Sequence, residues 1–475
     1  MLFLPIDRQR DRQGVMLGKA GRLWFSKPFW LSQSARTAHL YTLGKTGKGK
    51  SSFLLSLIYQ DIVNGASVTT LDPHSDLVSD LLSLLVERDV FQRDPDLAKR
   101  IIYLDPAGER VIPLNVLAIP GDPYEIATAV IEALKRAWSE TLSAAPNFEN
   151  NALYSLMLLI KTRRTLLDLP RVWADTEFRD RLLEEAGDRD IVSFFHDRVD
   201  RWGDREAALK IESLLNKSTA LTINPYLRLM LGQRECLNFR SIMDDGYILL
   251  ADLGRAGEET QRLVGSLITT FLEQAVMTRF DLPPEKRRPH YLYIDEFQGF
   301  TATDGSVKTM SKILSESRKM GLHLIMANQH LGQLSPRMRS AIMGNVWTKV
   351  IFGISEEDAY EFSKMVALGH LDPMAIKREA QTETQHPIYQ SIPDQLIDWA
   401  AMLARQQPRQ AMVRDHRGIS TSIWTLSIER TPPASKDIRR ELLCHHGIPR
   451  SEAGRRLATA VEDVMAPPVE YVLAA

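Results

Sequence analysis

The stretch that decides the fold is "HLYTLGKTGKGKSS", His39 to Ser52. Leu40 to Leu43 is a short apolar run of strand length, and "SSFLLSLIYQDI" behind it places Phe53, Leu54, Leu57 and Ile58 on one face of a helix. Between them, Gly44, Gly49, Lys50 and Ser51 fill the fixed places of the pattern G-x-x-x-x-G-K-[ST]. A strand, a glycine-rich turn and a helix N-terminus aim several backbone N–H groups at one point, where the helix dipole also favours an anion. The whole turn is therefore a candidate nucleotide-binding segment: Gly44, Lys45, Thr46, Gly47, Lys48, Gly49, Lys50, Ser51 and Ser52. Lys50 is expected to reach the β- and γ-phosphates, and the Ser51 hydroxyl to ligate Mg²⁺. The competing reading, a solvated basic turn, leaves the flanking strand and helix unexplained.

Working outward, strands and helices alternate. "GASVTTLDPHSDL" predicts a strand over Ala66–Leu71 that ends in Asp72-Pro73-His74, and "RIIYLDPAG" predicts one over Ile101–Asp105. From Gly246 the pattern resumes with "GYILLADL", a long helix over about Glu258–Thr278, then "HYLYIDE", "LHLIMANQ" and "WTKVIFG". "QAMVRDHRGISTSIWTLS" alternates about Arg417-Gly418 and predicts a hairpin. The fold class that follows is α/β, a doubly wound and mostly parallel sheet whose site lies along the strands' carboxyl ends. Between residues 122 and 245 the apolar spacing becomes three and four, and no strand is expected. The predicted domains are a segment 1–35, the first part of the core 36–121, an all-α insertion 122–245, the second part of the core with the hairpin 246–430, and a tail 431–475 with one helix.

A phosphate loop alone serves kinases, switches and synthases equally. "YLYIDEF", Tyr291 to Phe297, adds two acids at a strand's carboxyl end. Asp295 is placed to organise the Mg²⁺ shell, and Glu296 is the natural base for a water attacking the γ-phosphate. A second carboxylate there favours hydrolysis over transfer to a bound acceptor; a solvated Asp-Glu turn is the bland reading. Gln329, at the end of "MANQ", is expected beside Glu296 on the same edge, to hold the attacking water and sense the γ-phosphate. Arg318, in "SESRKMGL", is a candidate arginine finger for a neighbouring subunit's nucleotide, and the helix dipole gives it an alternative reason to be there.

Composition limits the partners. Among 475 residues, 59 Lys and Arg nearly balance 60 Asp and Glu, so nucleic-acid contact must be local. "KRRPH" (Lys286–His290) and "RRELLCHHGIPRSEAGRR" (Arg439–Arg456) are the basic patches able to meet phosphates. No motif for sequence-specific reading is present, and a motor on a backbone needs none. The two cysteines, Cys236 and Cys444, suit a reducing cytoplasm. "MLFLPI" is too short for a secretory signal and no apolar run reaches 18 residues, so no membrane span is expected.

Together the blocks "RTAHLYTLGKTGKGKSS" (from Arg36), "LDPHSDL", "IYLDPAGERVIPLNVL", "YLYIDEFQGF", "SESRKMGLHLIMANQHLGQL" and "IMGNVWTKVIFGISEEDA" resemble, in order, those of the HerA/FtsK superfamily. Within it they are most similar to the TraG/TraD-like coupling ATPases of type IV secretion. The resemblance implies a RecA-like core that assembles as a homo-hexameric ring and moves DNA in ATP-driven steps, with ATP and Mg²⁺ as its ligands. It carries the roles above onto Lys50, Ser51, Asp295, Glu296, Gln329 and Arg318, and gives Asp72 and His74 a supporting part. It matches the 122–245 insertion to an all-α domain that faces the transferred DNA. The expected location is the cytoplasm, with any inner-membrane association made through partners. Those partners are secretion-channel and relaxosome proteins, or a nuclease if the chain is a free-standing HerA-like pump. A nucleotide-gated docking platform is the third reading, and Glu296 and Arg318 argue against it.

Overall fold

The computed structural model describes residues 14–21, 26–137, 148–301, 304–375, 389–428 and 436–462. The opening "MLFLPI" and residues 429–435 and 463–475 around the tail lie outside them. The chain divides into two compact units. One comprises residues 1–68, 287–301 and 310–432; the other comprises 69–286, 302–309 and 433–475.

In chain order the strands are β1 (Gly14–Ala20), β2 (Lys27–Ser32), β3 (Leu40–Leu43), β4 (Ser67–Asp72), β5 (Ile101–Leu104), β6 (Arg110–Val111) and β7 (Ile248–Asp252). They continue with β8 (His290–Ile294), β9 (Leu322–Asn328), β10 (Thr348–Ile351), β11 (Gln410–Arg414), β12 (Ser420–Thr425) and β13 (Ile448–Pro449). Eight of these build the sheet of the first unit, in the order β2-β1-β12-β11-β10-β3-β9-β8. Its inner half is parallel: Leu40 lies opposite both Thr348 and Ile325, and Tyr291 opposite His323. Every residue of β3, β8, β9 and β10 is buried, as expected for parallel strands covered on both faces. The outer half is antiparallel, β10 to β11 to β12 to β1 to β2, and β12 alternates buried and open positions. The hairpin expected about Arg417-Gly418 is β11–β12.

Strands β1 and β2 were not legible as strands in the segment 1–35. Their pairing needs glycine where backbones touch: a methyl on Gly18 would lie 2.2 Å from the Trp424 carbonyl oxygen of β12.

One buried cluster ties this unit together. Both Arg36 guanidinium nitrogens meet the Asp61 carboxylate, at 2.5 and 2.6 Å. The guanidinium also lies 3.7 Å over the Tyr291 ring, and the Tyr293 hydroxyl donates to Asp61. Burial opposes the charge on Arg36, but the Asp61 carboxylate more than offsets it and raises the guanidinium's pKa above its ordinary value. The cluster joins the residue entering β3, the far end of the helix Lys50–Val63, and the strand β8. It therefore fixes the phosphate-loop helix against the strand that ends in Asp295.

In the second unit β5 pairs in parallel with β7, and the long helix Glu258–Met277 follows β7. From Pro123 to Asp244 the described residues form helices and no named strand; only Cys236 makes an isolated bridge, to Leu114. Asp72 accepts the backbone N–H groups of His74 and Val78 at 2.9 Å each, so it shapes the turn into the helix Asp76–Glu87. The tail holds two helices, Lys436–His446 and Arg450–Glu462, where the sequence suggested one.

Candidate active site

Parallel strands all end at the same edge of a sheet. With the order β10-β3-β9-β8, the segments leaving β3, β9 and β8 open side by side. The phosphate loop leaves β3, Gln329 follows β9, and Asp295-Glu296 follows β8. Gln329 lies on the middle strand of the three.

The loop is held by its backbone. The Gly44 N–H donates to the Asn328 carbonyl (3.3 Å), and the Lys45 N–H to the Gly353 carbonyl (2.9 Å). Gly47 and Gly49 have φ of +77° and +104°, a region that favours glycine. Gly44 needs glycine for room: a methyl there would lie 2.6 Å from Phe352 Cβ. The helix Lys50–Val63 starts at Gly49 with no side chain capping its free N–H groups. Lys50 is only 6% exposed, yet among the described residues no acid or carbonyl pairs with its ammonium group. A buried cation above uncapped N–H groups is a site arranged for an anion.

Facing it, the Glu296 carboxylate is tied into a chain of hydrogen bonds. Gln329 Nε2 donates to Glu296 Oε1 at 2.8 Å, and Gln329 Oε1 accepts from the Thr46 hydroxyl at 2.9 Å. The Gln298 amide donates to the other oxygen of Glu296. One amide thus links a carboxylate to the phosphate loop. Glu296 has left-handed backbone, φ +49° and ψ +52°, a conformation that costs a non-glycine residue about 1 kcal/mol. The Glu296 N–H donates back to Asp295 Oδ1 at 2.9 Å. The Ser51 hydroxyl is 3.5 Å from the other oxygen, Asp295 Oδ2. Hydroxyl and carboxylate oxygens are hard donors, and this pair suits Mg²⁺.

The structure therefore brings Lys50, Ser51, Asp295, Glu296, Gln329 and Thr46 together, and it does not bring Arg318 to them. Arg318 precedes β9 and Gln329 follows it, so seven residues of strand, about 23 Å, separate the two edges. Arg318 instead lies 4.0 Å over the half-exposed Trp347 indole, whose ring also stacks with His416, 5.8 Å away at 23°. Gln298 was missed in the sequence, although it stands two places after Glu296 in "DEFQGF".

The basic patches are largely spent on internal contacts. Arg287 donates to the Lys319 carbonyl and Arg288 to the Gly65 carbonyl. In the tail, Arg450 holds the carbonyls of Gly108 and Pro106, Arg439 the Ser79 hydroxyl, and Arg456 pairs with Glu235 and Glu452. Among the described residues no cluster of His, Cys, Asp and Glu is placed to hold a metal ion, and Cys444, His445 and His446 lie in the helix Lys436–His446.

Residues 251–392 match the family model described as type IV secretion-system coupling protein DNA-binding domain. The matched segment includes Asp295, Glu296, Arg318 and Gln329. Among solved structures the chain is similar to the unbound bacterial conjugative coupling protein TrwBdeltaN70, at 18% identity and TM-score 0.60, over 90% of this chain and 91% of that one. The plasmid coupling protein TrwB in complex with ADP and Mg²⁺ matches at 18% identity and TM-score 0.57, over 85% and 90%. VirB4 of Thermoanaerobacter pseudethanolicus matches at 14% identity and TM-score 0.54, over 88% and 97%. These likenesses show the fold, a RecA-like α/β architecture with a largely parallel central sheet. No curated protein sequence matches this chain. Among the described residues no helix is long and apolar enough to cross a membrane.

Proposed function

We propose that the chain hydrolyses ATP to move DNA, as a ring of identical subunits, in conjugative type IV secretion-like transfer. The observation that carries the ATPase is that one sheet edge holds both Lys50, a buried cation without a counter-ion among the described residues, and Glu296, a carboxylate joined to the phosphate loop through Gln329. Lys50 and the N–H groups of the loop hold the β- and γ-phosphates. Ser51 and Asp295 hold Mg²⁺, which when bound neutralises charge on the phosphates. Glu296 takes the proton of the water that attacks the γ-phosphate. Gln329 orients that water and reports the γ-phosphate to Thr46. DNA as the load is supported by the matched coupling-protein domain, and the helical stretch 122–245 is the part we assign to face it.

The ring is supported by what one subunit lacks. Its own hydrolytic edge has no arginine finger among the residues assigned, and Arg318 is held on the opposite edge, where a neighbour's nucleotide would lie. Stacking on Trp347 fixes the plane of the guanidinium. Two inactive variants test this. Lys50→Ala subunits retain Arg318, and Arg318→Ala subunits retain an intact phosphate loop. Each alone is expected to lose at least 100-fold in ATP turnover, and an equimolar mixture to recover about a quarter of wild-type activity. A mixture no more active than its components would remove Arg318 from the neighbour's site. ATP turnover with and without added DNA tests the motor itself.

A further inference from the structure

We propose that Arg409 is a second cationic ligand of the nucleotide, supplied by the same subunit and acting on the α/β-phosphate segment. The proposal rests on the phosphate-loop reading and adds to it a residue from a distant part of the chain, the "QQPRQ" turn that leads into β11.

The turn is fastened to the back of the loop. The Arg409 N–H donates to the Lys48 carbonyl at 2.9 Å, and the Lys48 ammonium donates to the Gln406 carbonyl at 2.8 Å. On its other side, the Arg409 carbonyl accepts from both the Thr425 N–H (2.8 Å) and the Thr425 hydroxyl (3.1 Å). Between these anchors Arg409 has φ +67°, a left-handed conformation that a side chain disfavours. Its stem lies against Gly49, the residue that opens the phosphate-binding helix: a methyl on Gly49 would stand 3.3 Å from Arg409 N and 3.4 Å from its Cα and Cγ. Gly49 is glycine both for its own φ of +104° and for this close approach.

Arg409 is half-buried as a residue, and its guanidinium has no hydrogen-bond or ion-pair partner among the described residues. The residue stands against a turn that carries Lys45, Lys48 and Lys50, and the carboxylate of the site, Glu296, is already bonded to Gln329 and Gln298. A strained backbone, anchored on both sides, that presents an uncompensated cation beside an anion cradle is explained by an anion. Backbone N–H groups of this part of a phosphate loop cradle the α- and β-phosphates, so Arg409 serves ADP as well as ATP. That separates it from Gln329, which answers only to the γ-phosphate.

The test is titration calorimetry of the full chain with MgADP and with a non-hydrolysable Mg-ATP analogue. Arg409→Gly keeps or relaxes the backbone conformation and removes the cation. It is expected to weaken both ligands at least tenfold and by the same factor, with no fall in melting temperature. Arg409→Lys is expected to recover part of that loss. Should Arg409→Gly fail to fold, Arg409→Gln keeps the stem beside Gly49 and carries the same expectation. MgADP affinity within twofold of wild type in the folded variant would overturn the proposal, as would loss of DNA affinity with nucleotide affinity intact. If the wild-type chain binds neither nucleotide, or Lys50→Ala binds both undiminished, the phosphate-loop reading fails first.

Discussion

Glu296→Gln is expected to leave nucleotide binding within about threefold of wild type and to cut ATP hydrolysis by about 10²–10⁴. The substitution keeps the size of the side chain and a carbonyl oxygen to accept from Gln329 Nε2, at 2.8 Å in the native chain. What it removes is basicity. The phosphate-holding groups, Lys50 and the N–H groups after Gly49, lie on a different strand's loop and are untouched. A single-turnover measurement with Mg-ATP, beside calorimetric titration of the non-hydrolysable analogue, separates the two effects. Hydrolysis within tenfold of wild type would show that Glu296 is not the base.

The second large effect concerns stability. Arg36→Met leaves the Asp61 carboxylate in an interior where its charged partner is gone and the Tyr293 hydroxyl is left to bond it. Breaking one side of a pair this deeply buried (side chains 4% and 2% exposed) is expected to cost about 3–5 kcal/mol in denaturant unfolding. Replacing both residues, Arg36→Met with Asp61→Leu, is expected to recover most of that loss, because the buried pair's mutual attraction roughly balances its own desolvation. The double variant therefore distinguishes a stranded charge from a lost contact. If the single variant unfolds within 1 kcal/mol of wild type, the cluster does not fix the phosphate-loop helix.

Much of this fold could be read because parallel strands announce themselves. β3, β8, β9 and β10 are unbroken buried runs, the first three followed at the same edge by polar residues, and the pattern that marks them is short and local. β1 and β2 escaped because their partner, β12, lies about 400 residues away, and because Gly14 and Gly18 look like loop residues until the backbones they admit are known. Of the site, the spacing of Gly44, Gly49, Lys50 and Ser51 shows the phosphate cradle directly. The adjacency of Glu296 and Gln329 followed from two strands both ending in polar residues. The Thr46 hydroxyl was assigned to the loop but not to its bond with Gln329, which depends on β9 lying between β3 and β8. Arg409 carries no sequence signal at all: "QQPRQ" reads as a surface turn, and only the antiparallel return of β11 beside β10 brings it to Gly49. The basic patches show the opposite failure. Their composition suggests a nucleic-acid surface, whereas Arg439, Arg450 and Arg456 hold the tail helices to the second unit.

The central claim, that this site drives a DNA motor built from several subunits, is tested most directly by ATP turnover with and without DNA, measured across protein concentrations at which the oligomeric state is followed by light scattering. Turnover per subunit is expected to rise with assembly, and DNA of unrelated sequences to stimulate the assembled form at least tenfold. Turnover that is the same in monomer and oligomer, and indifferent to DNA in the assembled form, would contradict that claim.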